Sequence, residues 1–236
     1  MRIVVAVSLL AMSSAAFADG WKGTGELGLA LSRGNSETES LNAKLGFTLE
    51  DAQWKNIVGF AALRQKGEVA GSEELTLTAN RYELSGSSAY KFDERRYLNG
   101  SLRYENDDFA PFEYQAIAAL SYGYYAIKDD TTELLFEGGP GYRRFKTVSG
   151  DTDGELIVRG LMGFKHVFTA TTSFENVLLV EAGSDNTFVQ NDAGLVVKMS
   201  DALALKAGLQ LRHNTDAAAG SEKTDSLFTT NLVYNF

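Results

Sequence analysis

The sequence lacks cysteine and has only two prolines among its 236 residues. Without cysteine, the chain cannot form a disulfide scaffold, a thiolate zinc site or a cysteine nucleophile. Its 44% hydrophobic content contains no runs of about 20 apolar residues, which excludes a bundle of membrane-spanning helices. Basic residues are also few, because 22 Lys and Arg stand against 31 Asp and Glu and give a net charge of −9. Nucleic acid is therefore not expected as a partner, since phosphate binding needs a basic surface.

The first 18 residues have the organisation of a secretory signal peptide. Arg2 supplies the positive start, residues 3–12 form an apolar stretch, and Ala16-Phe17-Ala18 is a small-x-small cleavage site. This stretch is too short and wrongly flanked for a spanning helix, although an uncleaved anchor is the alternative reading. We predict a signal peptide over residues 1–18 and a single domain over residues 19–236.

Alternation of apolar and polar residues dominates the rest of the chain, for example in residues 41–50 and 203–212. Period two is typical of strands with two unlike faces. Polar breaks divide the chain into about twelve segments, most of them long enough for the 9–11 residues of a tilted membrane strand. Short and longer breaks alternate, as periplasmic turns and external loops do in bacterial outer-membrane barrels. The predicted fold class is all-β, a transmembrane antiparallel up-and-down barrel of about twelve strands.

Both prolines are compatible with this fold. Pro111 falls in a predicted loop, and Pro140 lies in the run Gly138–Gly141, which predicts a bend or bulge.

Two features favour a barrel whose apolar face meets lipid over a soluble barrel or sandwich with an apolar interior. The chain ends in an alternating strand with a terminal aromatic residue, similar to the C-terminal signal that the barrel-assembly machinery of the outer membrane reads. We assign this signal to Phe228, Leu232, Tyr234 and Phe236. Aromatic residues also recur near strand ends, where amphipathic rings favour the headgroup level. The expected girdle residues are Trp21, Trp54, Phe92, Tyr124, Phe168, Phe174 and Phe236 on the short-turn side, and Phe109, Phe112, Tyr142, Phe145 and Phe188 on the long-loop side.

The polar face carries charges of both signs, which we place in the lumen. Around the turn at residues 169–172, Lys165 with Glu175 and Arg159 with Glu181 share one antiparallel register. We predict both as facing lumen pairs. Further lumen charges are expected at Arg103, Glu105, Asp107, Glu137, Arg143, Asp192 and Arg212. The segment from Leu75 to Lys91 is left out because its alternation is shifted.

No catalytic, cofactor or metal site is predicted. A lipolytic barrel would resemble the outer-membrane phospholipase, but its His-x-Ser-Asn-Gly signature is absent around His213, and His166 is the only other histidine. The run Asp151–Gly154 lacks the later ligands of a calcium loop. The run Gly138–Gly141 lacks the Lys and Ser or Thr of a phosphate loop.

Several short motifs together resemble the YdiY-like salt-induced outer-membrane proteins, a family of unknown function. They are Trp21-x-Gly23 with Gly34-Asn35-Ser36, residues 104–109, residues 138–143, and the end from Leu232 to Phe236. The resemblance spans the mature chain and implies an outer-membrane barrel with nothing catalytic. It carries no functional residues over to this sequence.

Two roles remain open at this point. The first is a small passive pore of weak selectivity, favoured by glycines on the presumed lumen face at Gly123, Gly139, Gly141, Gly163, Gly194 and Gly208. These glycines equally fit relief of strain in a curved wall. The second is a structural or envelope-stress barrel whose lumen is closed by ion pairs. Expected partners are outer-membrane lipid, lipopolysaccharide and the assembly machinery, and the sequence leaves the oligomeric state open.

Overall fold

The computed structural model describes residues 20–32, 38–68, 75–110, 112–216 and 222–236. The predicted signal peptide and Pro111 lie outside these residues. Within them, no helix is long and apolar enough to cross a membrane. Twelve strands are formed: β1 (Trp21–Ser32), β2 (Thr38–Glu50), β3 (Trp54–Glu68), β4 (Leu75–Lys91), β5 (Arg96–Asp107), β6 (Phe112–Lys128), β7 (Thr132–Thr147), β8 (Thr152–Val167), β9 (Thr172–Ala182), β10 (Thr187–Lys198), β11 (Leu203–Asn214) and β12 (Thr224–Asn235).

Each strand pairs antiparallel with its neighbours in sequence, and β12 returns to pair with β1. The predicted closed up-and-down barrel is confirmed. Connections at one end have three or four residues, and those at the other end have four to nine. The β7–β8 loop is shorter than the predicted polar break at residues 147–153, because pairing runs further and Lys146 still faces Thr152.

The outer wall is apolar and the inner wall is polar. Large exposed hydrophobic side chains such as Leu102, Leu120, Leu156 and Phe228 project outward from the strands. Their neighbours along each strand point into the lumen, because successive side chains of a strand lie on opposite faces. This orientation matches a membrane barrel, in which the apolar band contacts hydrocarbon.

A bulge explains the shifted alternation of β4. Gln65 on β3 faces Ala79, whereas the next residue, Lys66, faces Leu77. Thr78 is therefore the extra residue, and the strand changes face there. Beyond the bulge, Arg81 and its alternate neighbours point into the lumen.

The short turns share one hydrogen-bonding pattern. In three of them, an aspartate at the first position accepts hydrogen bonds from the backbone N–H groups two and three residues further on. These are Asp51, Asp93 and Asp129, with N···O distances of 2.7–2.9 Å. Thr169 accepts the equivalent bonds with its hydroxyl. The backbone N–H groups of Thr131 and Thr132 hold the pKa of Asp129 below its usual value, since they favour the charged form.

The aromatic prediction is confirmed for Trp54, Phe92, Tyr124 and Phe168, which are exposed on the outer wall at the short-turn side, whereas Trp21, Phe174 and Phe236 are half-buried. It is wrong for three residues on the other side. Phe112, Phe145 and Phe188 are buried instead of exposed to lipid. Outward tyrosines take their place, with the ring of Tyr104 lying 6.2 Å from Tyr82 and 5.8 Å from Tyr114.

Candidate functional site

The candidate site is the lumen, which is hollow toward the short turns. One cavity of about 460 Å³, the mouth cavity, extends from Asp93 and Glu94 at the short-turn mouth up to Arg103. A second cavity of about 480 Å³, the seam-side cavity, lies next to β1, β2 and β10–β12 and is lined by Lys44 and Asp192. Both cavities touch Glu83, so they lie side by side.

Above both cavities, a layer of charged side chains crosses the barrel. We call it the ion-pair layer; it consists of Arg81, Glu83, Arg103, Glu105, Asp107, Glu181 and Arg212 together with the ring of Phe188. Three arginines therefore face four carboxylates. Alternation on β4, β5, β9, β10 and β11 directs all of these side chains inward.

The central contact of the layer joins opposite walls. The Arg212 guanidinium on β11 donates to both carboxylate oxygens of Glu105 on β5, at 2.7 Å each. These strands are six apart in a ring of twelve, which is the largest possible separation. Arg212 also donates to Asp107 at 3.2 Å, and Gln115 donates to Glu105 at 3.1 Å. A bidentate pair of this kind is among the stronger hydrogen-bonded contacts in proteins.

Arg103 extends the layer in a second direction. Its guanidinium forms an ion pair with Glu181 on β9, four strands away, and another with Glu105 at 3.1 Å. A longer contact of 3.5 Å joins it to Glu83. Arg81 adds a hydrogen bond of 2.6 Å to Gln210 on β11.

Phe188 lies between the two central arginines and is completely buried. The guanidinium carbons of Arg103 and Arg212 lie 5.0 Å and 4.8 Å from its ring centroid. The ring face attracts both cations and keeps these like charges apart.

The β9–β10 loop covers the layer on the long-loop side. Arg143 is completely buried and donates to the carbonyl oxygens of Glu181 and Asn186, at 3.0 Å and 3.1 Å. Glu155 accepts hydrogen bonds from the Ser184 hydroxyl and the Asp185 backbone N–H. Arg143 and Glu155 therefore hold this loop over the part of the layer that contains Glu181.

The two predicted charge pairs are adjacent in the backbone but do not form ion pairs with each other. Lys165 faces Glu175, and Arg159 faces Glu181 across β8 and β9. Arg159 instead bonds Glu137 at 2.9 Å, and Glu181 bonds Arg103. Glu175 bonds Lys206 at 2.5 Å.

Among the described residues, Lys165 has no ion pair. Both pairs therefore face each other as predicted, but Arg159 and the two glutamates form their ion pairs elsewhere, because side chains in the lumen also reach diagonal positions and non-adjacent strands.

The remaining predicted lumen charges point inward. Arg103, Glu105, Asp107 and Arg212 join the layer, and Arg143 lies directly above it. Glu137 lines the mouth cavity, where Tyr97 donates to it at 2.9 Å. Asp192 lines the seam-side cavity and lies 3.8 Å from Lys44.

Sequence reasoning missed Arg81, Glu83 and Phe188 as members of the layer. The bulge at Thr78 concealed which face of β4 Arg81 and Glu83 lie on. Phe188 stands at alternate positions with Gln190 and Asp192 on β10, and this alternation already indicated an inward side chain.

The residues assigned to the C-terminal signal lie on the outer face of β12. Phe228, Leu232 and Tyr234 are exposed there. Phe236 closes the ring, since its backbone exchanges hydrogen bonds of 2.7 Å and 2.9 Å with Gly23 on β1.

The described residues contain no group of three or more His, Asp or Glu that could hold a metal ion. His166 and His213 lie on the outer face, and each bonds a threonine hydroxyl at 2.9 Å. The prediction that the protein is not an enzyme stays a prediction.

The fold is similar to solved outer-membrane barrels. The COG4313 outer membrane channel from Pseudomonas putida F1 is 9% identical with a TM-score of 0.54, and the match covers 91% of this chain and 94% of that chain. The translocator domain of autotransporter NalP from Neisseria meningitidis is 12% identical with a TM-score of 0.51, covering 94% and 90%. The NanC porin is 9% identical with a TM-score of 0.51, covering 92% and 98%. At these identities the likeness establishes the fold alone.

No curated protein sequence matches this chain. Residues 25–236 match the family described as "Protein of unknown function, DUF481". This match covers nearly the whole barrel and confirms the resemblance to the YdiY-like proteins. The chain therefore belongs to the DUF481 family.

Proposed function

We propose that this protein is an outer-membrane channel for small hydrophilic solutes, closed in this structure by the ion-pair layer. The observation that carries the proposal is the bidentate Glu105–Arg212 contact between opposite walls. It blocks a lumen that is otherwise hollow and polar. Each of the two cavities below it is far larger than the roughly 30 Å³ that a water molecule occupies in the liquid.

Side chains, and not backbone, form the barrier. The long arms of Arg103 and Arg212 can change rotamer without breaking any strand pairing of the wall. Opening therefore requires the loss of a few ion pairs and not the unfolding of a hairpin. Because both signs of charge line the lumen, we expect weak selectivity between cations and anions.

A second candidate role is a structural barrel with a permanently closed lumen. The burial of the layer favours it, since Glu105, Glu181 and Arg212 are almost completely buried and each has more than one partner. Breaking such a pair costs about 3–5 kcal/mol when one charge is left behind.

Planar-bilayer recording separates the two roles. Glu105→Gln removes the charge that Arg212 contacts across the lumen. We expect the open probability to rise at least about tenfold over the wild type, which corresponds to a contribution of ~1.4 kcal/mol to the closed state. The matched control is Glu137→Gln, which breaks the ion pair between the neighbouring strands β7 and β8 without opening the layer.

Stable unitary steps that increase in Glu105→Gln but not in Glu137→Gln support the channel. Folding of each protein is checked by the shift of its gel mobility on heating. If the folded wild type and both variants give no current steps, the channel is contradicted and the structural role is favoured.

The surroundings of the barrel follow from the same proposal. We infer that residues 1–18 direct export and are removed, that outer-membrane lipid and lipopolysaccharide surround the wall, and that the assembly machinery reads β12. Fractionation with N-terminal sequencing tests the export step. A mature protein that retains Arg2, or that is absent from the outer membrane, would contradict it.

A further inference from the structure

The seam between β1 and β12 is paired over only part of its length. Its register comprises four pairs, from Thr24–Asn235 to Leu27–Leu232, and the backbone hydrogen bonds between Gly23 and Phe236 add a fifth. Every other pair of neighbouring strands in the barrel has ten or more. Beyond Leu27, within the described residues, the end of β1 and the long-loop half of β12 do not pair with each other. The wall is therefore incomplete at this position, and two strand edges face each other there.

A cavity of about 620 Å³ includes this gap and extends from it across β11 and β10 to Phe174 on β9. Its lining includes residues from both faces of the wall. The lumen-facing ones are Gly28, Ala30, Ser40, Asn42, Gly194, Gly208, Thr229 and Asn231, and the outward ones include Leu29, Leu195, Leu209 and Phe228.

This seam gap adjoins the seam-side cavity of the lumen. The two cavities share Asn42, Gly194, Gly208, Thr229 and Asn231 as lining residues. The glycines make the wall thin here, because they place no side chain between the lumen and the outer surface.

A single side chain spans the gap on its lumen side. Asn231 of β12 accepts a hydrogen bond of 3.4 Å from Asn42 of β2 and donates one of 3.2 Å to Glu26 of β1. The contact with Asn42 is at the long end of the hydrogen-bond range, so it is a weak closure. Gly28 lies directly against Asn231 and the Thr230 carbonyl, which leaves no room for a side chain at that position.

The lining changes from polar to apolar across the wall. Amides and hydroxyls face the lumen, and leucine and phenylalanine side chains face the membrane. Close by on the outer face, Asn176 and Asn191 exchange hydrogen bonds of 3.1 Å and 3.2 Å, which places further amide groups at the lipid surface. The charges beyond the gap are already paired, since Lys206 bonds both Glu26 and Glu175.

We propose that the β1–β12 seam is a lateral portal through which a single-chain amphiphile with a zwitterionic head, a monoacyl phospholipid, reaches the lumen from the membrane. Its acyl chain lies against Leu29 and Phe228, and its head group bonds Asn42 and Thr229 once Asn231 moves aside. A cavity of this size falls within the range of small-molecule sites. The portal depends on the wall and not on the ion-pair layer, so it stands independently of ion conduction.

Photolabelling tests the portal directly. The full-length protein is reconstituted in lipid vesicles with a monoacyl phospholipid that carries one diazirine in its head group and another in its acyl chain, and adducts are mapped by mass spectrometry. We expect adducts on the lumen-facing residues Asn42 and Thr229 as well as on the outward Leu29 and Phe228. Adducts confined to outward residues would overturn the proposal.

Three variants give the test its specificity. Asn231→Ala removes the closure. We expect the ratio of lumen adducts to outward adducts to rise about tenfold over the wild type, which corresponds to ~1.4 kcal/mol. Ala30→Trp fills the gap and is expected to abolish them. Asn99→Ala is the matched control, a buried lumen amide in a fully paired wall.

Equal lumen labelling in Asn99→Ala and Asn231→Ala would mean general loosening of the barrel and would overturn the portal. Unchanged lumen labelling in Ala30→Trp would do the same. Because the readout is an adduct and not a current, failure here is distinguishable from failure of the channel proposal.

Discussion

At the residue scale, Gly123 shows that a lumen glycine need not leave an open pore. A Cβ at this position would lie 2.1 Å from the ring of Tyr97 on the neighbouring strand. The ring lies over the glycine, and its hydroxyl donates to Glu137 at 2.9 Å. This glycine therefore makes room for the ring of Tyr97 and not for an open lumen.

Gly123→Ala is therefore expected to destabilise the barrel by about 1–3 kcal/mol, the usual cost of overpacking. The measurement is the free energy of unfolding from urea titrations in lipid vesicles. Gly138→Ala is the control, since no heavy atom lies within 4 Å of its added Cβ. If both variants lose the same free energy of unfolding, the ring of Tyr97 is not the reason that residue 123 is glycine.

Individual lumen residues were predictable from sequence, but their partners were not. Period two places Arg103, Arg159 and Arg212 inside, because parity along a strand fixes the face of each side chain. The partner of Arg212 lies six strands away, and only closure of the ring brings Glu105 to it. Arg159 was assigned to Glu181, which lies directly opposite it on β9, whereas its ion-pair partner Glu137 lies at a diagonal position on β7, the neighbouring strand on the other side. Cross-strand rules allow both contacts and do not choose between them.

At the scale of the element, the hairpins depend on their turns. Asp129 accepts two backbone hydrogen bonds that hold the β6–β7 turn, and its pKa is lowered as a result. A carboxylate with a lowered folded pKa contributes stability that is fully present above its unfolded pKa of about 3.9. That contribution is lost as the pH falls through the lower, folded value.

We therefore expect wild type to lose its stability advantage over Asp129→Asn when the pH is lowered from 7 to below about 3.9. The asparagine oxygen still accepts a hydrogen bond but carries no charge to titrate. Unfolding temperatures of both proteins across this range give the comparison. A constant difference at every pH would contradict the role of the charge.

Element boundaries were predictable only where polar runs marked them. The bulge at Thr78 left a shifted alternation that was visible in the sequence, although its cause was not. The short β1–β12 register left no signal, because both strands alternate normally and the gap arises from how the ring closes.

At the scale of the whole molecule, the barrel combines an apolar outer wall with a lumen that one layer of ion pairs crosses. Alternation and the aromatic C-terminus predicted the class, the closure and the strand number. Whether the lumen is open depends on contacts between opposite walls, and those depend on the diameter and on the stagger of the strands. The sequence alone therefore left pore and closed barrel undecided.

The most direct test of the layer as a barrier is the reactivity of a cysteine placed just below it. Ser101 lines the mouth cavity two residues from Arg103, and the chain has no cysteine of its own. In Ser101→Cys, we expect a membrane-impermeant maleimide to react readily from the periplasmic side. From outside intact cells we expect the reaction to be at least about tenfold slower, a ratio equivalent to ~1.4 kcal/mol. Adding Glu105→Gln should remove most of that difference. Equal rates from both sides in the Ser101→Cys protein would show that the lumen is open and would contradict the layer as its barrier.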